Sequence, residues 1–426
     1  MIAIFNNPSR NTWAEIVTRP SIENNELETT VKNILENVKA NGDKALMHYI
    51  NTFDNPNQKS LTIETAEIES AEKEIATELK EAIKKAAENI RTFHSAQKEP
   101  VQVIESMQGI KCWRKSIGIE KVGLYIPGGT APLFSTILML AIPAQIAECK
   151  EIILCTPEGK NGKIHPAILY TANYVGIKKI YKVGGAQAIA AMAFGTETIP
   201  KTYKIFGPGN QYVTMAKMLV NKSGTAIDMP AGPSEVMIVA DKTANPEFIA
   251  ADMLSQCEHG NDSQAVLLTD SLEIANKTIT ALEMQLKALP REMFASNSLK
   301  NSKIIILNSI SEQIDFMNEY AAEHLILSVE NTDYFVDNVI NAGSVFIGNY
   351  SPESVGDYAS GTNHTLPTNG YAKAYSGVSL DSFVKKITFQ HLTHEGLENI
   401  AKTVEIMAEA EQLEAHKNAV SIRLKK

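Results

Sequence analysis

The spacing of apolar residues changes character along the chain. Residues 26–98 are rich in Glu, Lys and Ala, and Val31, Ile34, Leu35 and Val38 recur at helical spacing, so this stretch is predicted to be helical. Short apolar, β-branched runs follow at 122–126, 152–155, 180–183, 236–240, 265–268, 304–307, 325–329 and 344–347. Helix-like stretches or glycine-rich turns separate most of them. Such alternation predicts parallel sheets with crossover helices. The run is long enough for two α/β units, with a break near 231–233. Beyond Glu395 the pattern is helical and charged, a tail rather than a core unit. Residues 1–20 carry no strong periodicity and read as a loose arm, and no short-period repeat is evident.

Composition narrows the class. With 426 residues, 44% hydrophobic and 21% charged, the chain has the profile of a soluble globular protein too long for one small core. The net charge of -9 and the lack of a long Lys/Arg cluster argue against a nucleic-acid partner. The first ten residues lack the basic start and apolar run of a secretory signal. The longest apolar stretch, 137–147, is too short to span a bilayer and is interrupted by Pro143. Cys112, Cys149, Cys155 and Cys257 show no CxxC spacing, which points to a reducing cytoplasm.

Three glycine-rich segments follow strand-like runs: GLYIPGG at 123–129, VGGAQ at 183–187 and FGPGN at 206–210. Glycines there either make tight turns or let a phosphate approach the backbone at a helix start. None matches GxGxxG, because the third position from Gly207 and Gly209 falls on Tyr212. In LSQCEHG, at 254–260, Gln256 and His259 share a helix face, while Cys257 points roughly the other way. The pair either begins a metal site or is structural. Asp357 and His364, in a turn-rich stretch after an apolar run, are suitable metal or substrate ligands, or members of a polar surface loop. Glu323 and His324 stand just before a strand, where both could move protons or simply be exposed. Glu411 and His416 would diverge by about 140° on one continuous helix, so they converge only if the helix ends between them or they serve different subunits. HxxH at His391 and His394 is not extended to HExxH, and no GxSxG occurs.

These residues lie in longer strings that resemble the histidinol dehydrogenase family over nearly the whole chain. The strings are VGLYIPGGTAPLFST at 122–136, VGGAQAIAAMAFG at 183–195, KIFGPGN at 204–210, IDMPAGPSE at 227–235 and LSQCEHGNDSQ at 254–264. They continue with NEYAAEHL at 318–325, GSVFIG at 343–348, SPESVGDYASGTNHTLPT at 351–368 and AHKNAV at 415–420. Ala322 departs from the family, which commonly has Pro before the Glu-His pair; both side chains are kept.

The resemblance implies one Zn2+ per subunit on Gln256, His259, Asp357 and His416, and proton transfer by Glu323 and His324. Ser234, His364 and Glu411, together with His324 and the zinc ligands, would contact the substrate. Tyr125, Gln187 and Asn210, one from each glycine-rich segment, would contact NAD+. The implied reaction takes L-histidinol to L-histidine with two NAD+ through a bound aldehyde. The implied fold is two incomplete Rossmann-like parallel-sheet domains with a helical N-terminal arm and a helical C-terminal tail. Residues 1–22 would be the arm. Residues 23–121 with 236–378 would form the domain holding the metal and catalytic groups, and 122–235 the NAD domain. Residues 379–426 would be a tail crossing to the partner of a homodimer. Rival readings are a zinc hydrolase with Glu323 as base, a non-catalytic nucleotide- or metal-binding module, and a relative acting on another imidazole alcohol. The three glycine-rich turns speak against the hydrolase.

Overall fold

In chain order the strands are β1 Ala3–Asn6, β2 Val103–Met107, β3 Ile110–Gly118, β4 Lys121–Tyr125, β5 Glu151–Thr156, β6 Lys179–Lys182 and β7 Lys204–Phe206. They continue with β8 Ala226–Ile227, β9 Glu235–Ala240, β10 Gln264–Thr269, β11 Lys303–Ile306, β12 His324–Ser328, β13 Ser344–Ile347 and β14 Val384–Leu392. The structure, a computed structural model, describes residues 2–19, 25–128, 131–159 and 161–425. Among the described residues no helix is long and apolar enough to cross a membrane.

Two parallel sheets form the α/β units that the alternating runs predict. One has the order β1-β11-β10-β9-β12-β13 and the other β6-β5-β4-β7-β8. Their central strands are apolar on both faces, since helices cover both sides: β9 and β10 are buried from end to end. In the five-stranded sheet the chain starts at the centre with β4, moves to one edge and returns to the other side; the six-stranded sheet repeats this from β9 onward, with β1 added at the edge beside β11. The order therefore reverses between β4 and β7 in one sheet and between β9 and β12 in the other. A third, antiparallel sheet, β14-β3-β2, stands apart. Its strands are largely exposed and carry little buried apolar alternation, so the hydrophobic pattern does not reveal them.

The structure redraws the expected boundaries in three places. The arm is not loose: Ala3–Asn6 pairs in parallel with Lys303–Ile306, and Trp13 and Ile16 are buried against Phe316 and Met317. The helices of residues 25–95, grouped by sequence with the six-stranded unit, share their cores with the five-stranded sheet. Val31, Leu35 and Val38 pack with Tyr125 and Ile189, and Ile83, Ala87 and Ile90 pack with Val122, Leu124 and Ile137. An amphipathic helix docks wherever its apolar stripe is covered, and only tertiary contact decides which sheet does so. The stretch 379–426 opens with strand β14 before the helices His394–Ala410 and Glu414–Leu424.

Candidate active site

Two sheet edges meet at the site. Glu235 opens β9, Gln264 opens β10 and His324 opens β12, so these side chains lie at the amino edge of the six-stranded sheet. The helix Pro246–Cys257 follows β9 and runs back toward the start of β10. Its C-terminal end thus delivers Gln256 and His259 to that same edge. The short helix Glu353–Tyr358 adds Asp357. From the other unit, the helix Phe134–Ile146 supplies Thr136, whose Oγ1 lies 3.0 Å from His364 Nε2. His364 Nδ1 faces the Asp357 carbonyl oxygen at 2.8 Å. This histidine ties the amino edge of one sheet to the first turn of the helix that follows β4 in the other.

Glu323 and His324 are buried, not exposed. A Glu323 carboxylate oxygen accepts the Glu235 backbone N–H at 2.9 Å. His324 sits between two carboxylates, with Nδ1 3.6 Å from Glu323 and Nε2 3.3 Å from Asp357. Burial pushes the Glu323 carboxyl up to about 8, and the neighbouring His324 only partly opposes it. Burial acts to lower His324, but Glu323, Asp357 and Glu353 outweigh it and raise its pKa. Burial likewise acts to raise Asp357, but the His324 hydrogen bond and the surrounding imidazoles hold it below the usual carboxylate range. His259 stands at the rim, open to solvent on one side. The protein packed around it lowers its pKa, and the Asp357 charge does not compensate. It is therefore neutral near pH 7 and able to offer a lone pair.

The expected metal ligands can be tested on one atom. The Gln256 amide oxygen is buried with no hydrogen-bond partner, while the amide nitrogen lies 3.4 Å from His259 Nδ1. A buried carbonyl oxygen left without a donor is costly unless a cation takes its lone pair. Gln256, His259 and Asp357 thus fit an N/O-liganded zinc. Among the described residues, no three His, Cys, Asp or Glu side chains group closely enough to hold a metal by themselves. His416 and Glu411 are exposed on the tail, where the two terminal helices pack against each other, and among the described residues neither side chain hydrogen-bonds or ion-pairs with this cluster. Ser234 is half-buried directly ahead of Glu235, at the same edge. Cys257 faces the core, 3.8 Å from the Ser302 hydroxyl, and burial pushes its thiol up to about 11; it is a packing residue.

The three glycine-rich turns come together at the carboxyl edge of the five-stranded sheet, around the point where strand order reverses, where open α/β sheets bind ligands. The Tyr125 hydroxyl accepts the Gly185 N–H at 3.0 Å, so the turns after β4 and β6 are joined. Gln187 lies in the first turn of the helix Gly185–Phe194, its amide 3.4 Å from Asp54. Asn210 caps the helix Gln211–Lys222, accepting from the Tyr212 and Val213 N–H groups. Gly207 is held from both sides by a buried ion pair: its N–H donates to Asp228 at 2.9 Å and its carbonyl accepts from Lys217 at 2.9 Å. Its φ is +129°, and an added Cβ would lie 2.1 Å from the Tyr125 carbonyl oxygen. Gly207→Ala is therefore expected to cost roughly 1–3 kcal/mol in denaturant unfolding. Unchanged stability would show that the turn tolerates a side chain.

Sequence reasoning assigned no role to Glu353 or Thr136. Glu353 accepts the Ser255 hydroxyl at 2.6 Å, keeps its other oxygen buried without a partner, and is pushed up to about 7 by burial. A carboxylate four residues before Asp357 was the only available sign. Thr136 gave none, since it reads as the start of an apolar helix.

Comparison with known proteins places these features in a family. Residues 17–424 match the histidinol dehydrogenase family model. Histidinol dehydrogenase from Bacteroides fragilis is 58% identical over 98% of this chain and 97% of its own length. That of Bacteroides thetaiotaomicron is 57% identical over 100% and 99%. The crystal structure of histidinol dehydrogenase from Elizabethkingia anophelis is 56% identical and superposes with a TM-score of 0.97, covering 99% of this chain and 98% of that one.

Proposed function

The chain belongs to the histidinol dehydrogenase family of oxidoreductases, and we propose that it oxidises L-histidinol to L-histidine with two NAD+, through a histidinal that stays bound. The observation that supports this reading is the 3.0 Å contact between His364 and Thr136, which joins the unit holding the buried Glu-His pair to the unit holding the glycine turns. NAD+, held by Tyr125, Gln187 and Asn210, would accept one hydride in each oxidation. Zinc, held by Gln256, His259, Asp357 and a partner-derived His416, would anchor the substrate's imidazole and amine and offset the pull of Asp357 on His324. Ser234, His364 and a partner-derived Glu411 complete the contacts to substrate.

Within this frame the chain's own residues move the protons. His324 takes the hydroxyl proton as the C–H electron pair leaves, giving the aldehyde. Glu323 then takes a proton from the water that adds to the aldehyde carbon. Loss of a second hydride from that hydrate yields the carboxylate. The part-buried His-Thr contact helps keep the aldehyde from bulk water between the two oxidations. Four free cysteines fit a reducing, cytoplasmic setting.

The direct test mixes protein, NAD+ and L-histidinol and follows NADH absorbance. Two NADH per histidine are expected; no NADH from histidinol, or one per aldehyde released, overturns the reading. Prolonged chelation should abolish turnover and zinc should restore it, because metal binding at such a site is reversible. Full activity in a metal-free preparation would contradict the zinc assignment.

A further inference from the structure

Below the catalytic pair lies a buried ion pair that the proposed chemistry does not use. Arg19 comes from the N-terminal arm and Glu235 opens β9; their side chains are 9% and 1% exposed. The contact is two-pronged, with Arg19 Nε 2.7 Å from Oε2 and Nη2 2.9 Å from Oε1. Arg19 also donates to the Tyr320 carbonyl and to that of Val17, and its guanidinium stacks 3.8 Å from the centre of the Tyr320 ring. The Tyr320 hydroxyl donates to Gln264 at 2.7 Å, reaching the first residue of β10.

Each of these anchors leads to the catalytic residues. Glu235 presents its backbone N–H to the Glu323 carboxylate at 2.9 Å and its carbonyl to His324 Nδ1 at 3.4 Å. Tyr320 ends the helix Ile310–Tyr320, and Ala321 then turns the chain into β12 with φ +54°, a conformation unusual for a residue with a side chain. Arg19 thus grips both the strand that bonds the Glu-His pair and the turn that carries it. A buried ion pair is weak evidence for stability, because desolvation offsets most of its attraction, so its geometry is the more telling property. We infer that the Arg19–Glu235 pair is a positioning device, by which the N-terminal arm sets the backbone of β9 and the turn before β12 and so aims Glu323 and His324. Arg19 and Glu235 act only through those two groups and touch no substrate.

The inference rests on the proton-transfer roles proposed above, and its test separates the two. Arg19→Met, assayed with histidinol and NAD+ as folded holoenzyme, is expected to lower kcat by roughly 10²-fold with KM within about threefold, the signature of misaimed groups. Glu235→Gln keeps both backbone contacts and the side-chain shape. It removes one charge facing Glu323, whose other charged or titratable neighbours are His324, Asp357 and Tyr320. Arg19 cannot give up its proton, so its charge is then unbalanced and favours ionised Glu323. The low-pH limb of kcat is expected to move down by about one pH unit, which loosened packing alone would not do. Arg19→Met with kcat within about threefold of the parent, or a Glu235→Gln limb that does not move, overturns the inference. If Arg19→Met fails to fold, the Glu235→Gln limb decides. Glu323→Gln serves as control: if it keeps full activity, the proton-transfer roles fall and this inference with them. If it is inactive while the other two variants match the parent, only the positioning idea falls.

Discussion

Glu323→Gln is expected to slow oxidation that starts from histidinal by roughly 10²–10⁴-fold, the usual worth of a positioned base. Glutamine keeps the size and can still accept the Glu235 N–H, so the backbone contact survives while the base is lost. Oxidation of histidinol to the aldehyde should suffer less, because His324 handles that proton. A His324 replacement should reverse the order, with the alcohol step hit harder. The two half-reactions can be measured separately by supplying either substrate. The sign of the pH dependence follows from burial. Glu323 is raised to about 8, so it is protonated and idle at low pH, and the aldehyde step should speed up as pH rises through that region. Equal losses in both half-reactions for both variants would remove this division of labour.

The second large effect concerns subunits. His259→Ala and His416→Ala should each be close to inactive, since each removes a proposed zinc ligand. Unfolded and refolded together, they should regain activity. Gln256, His259 and Asp357 lie together in one chain, while His416 is exposed on the tail and, among the described residues, its side chain makes no hydrogen bond or ion pair with them. If the tail of one subunit completes the site of the other, a mixed dimer has one site with both lesions and one with none. Random pairing makes half the dimers mixed, so about a quarter of all sites should recover. If each tail serves its own chain, every site keeps one lesion. A mixture as inactive as its parents, with subunit exchange confirmed by mass, would exclude the shared site.

The sequence by itself determined the elements whose pattern is local. β9, β10 and β12 are short, apolar and β-branched because helices cover both faces of their sheet, and that run of residues can be read without knowing its neighbours. Gln256 and Cys257 face different ways as helical geometry requires, but the helix ends at Cys257, so His259 meets Gln256 from the turn beyond the cap and not from the same helix face. The glycine turns after β4, β6 and β7 were legible as turns; their convergence was not, because it depends on strand order, which crossover connections alone settle.

Only the tertiary structure decided which elements share a core and where charge is buried. An apolar stripe such as Val31, Leu35 and Val38 announces a helix but not the sheet that covers it, and the hydrophobic effect that drives docking has no direction. The exposed strands β2, β3 and β14 pair through backbone groups that every residue carries, so side-chain pattern said little about them. A Glu-His dipeptide is the same string whether solvated or buried. The amino edge of the six-stranded sheet took water away from Glu323 and His324; that desolvation raises Glu323, while the carboxylates gathered around His324 outweigh its own desolvation and raise it too. Arg19, an unremarked residue of a featureless arm, reached Glu235 across 216 positions of chain because β1 docks on β11, a contact with no local signature.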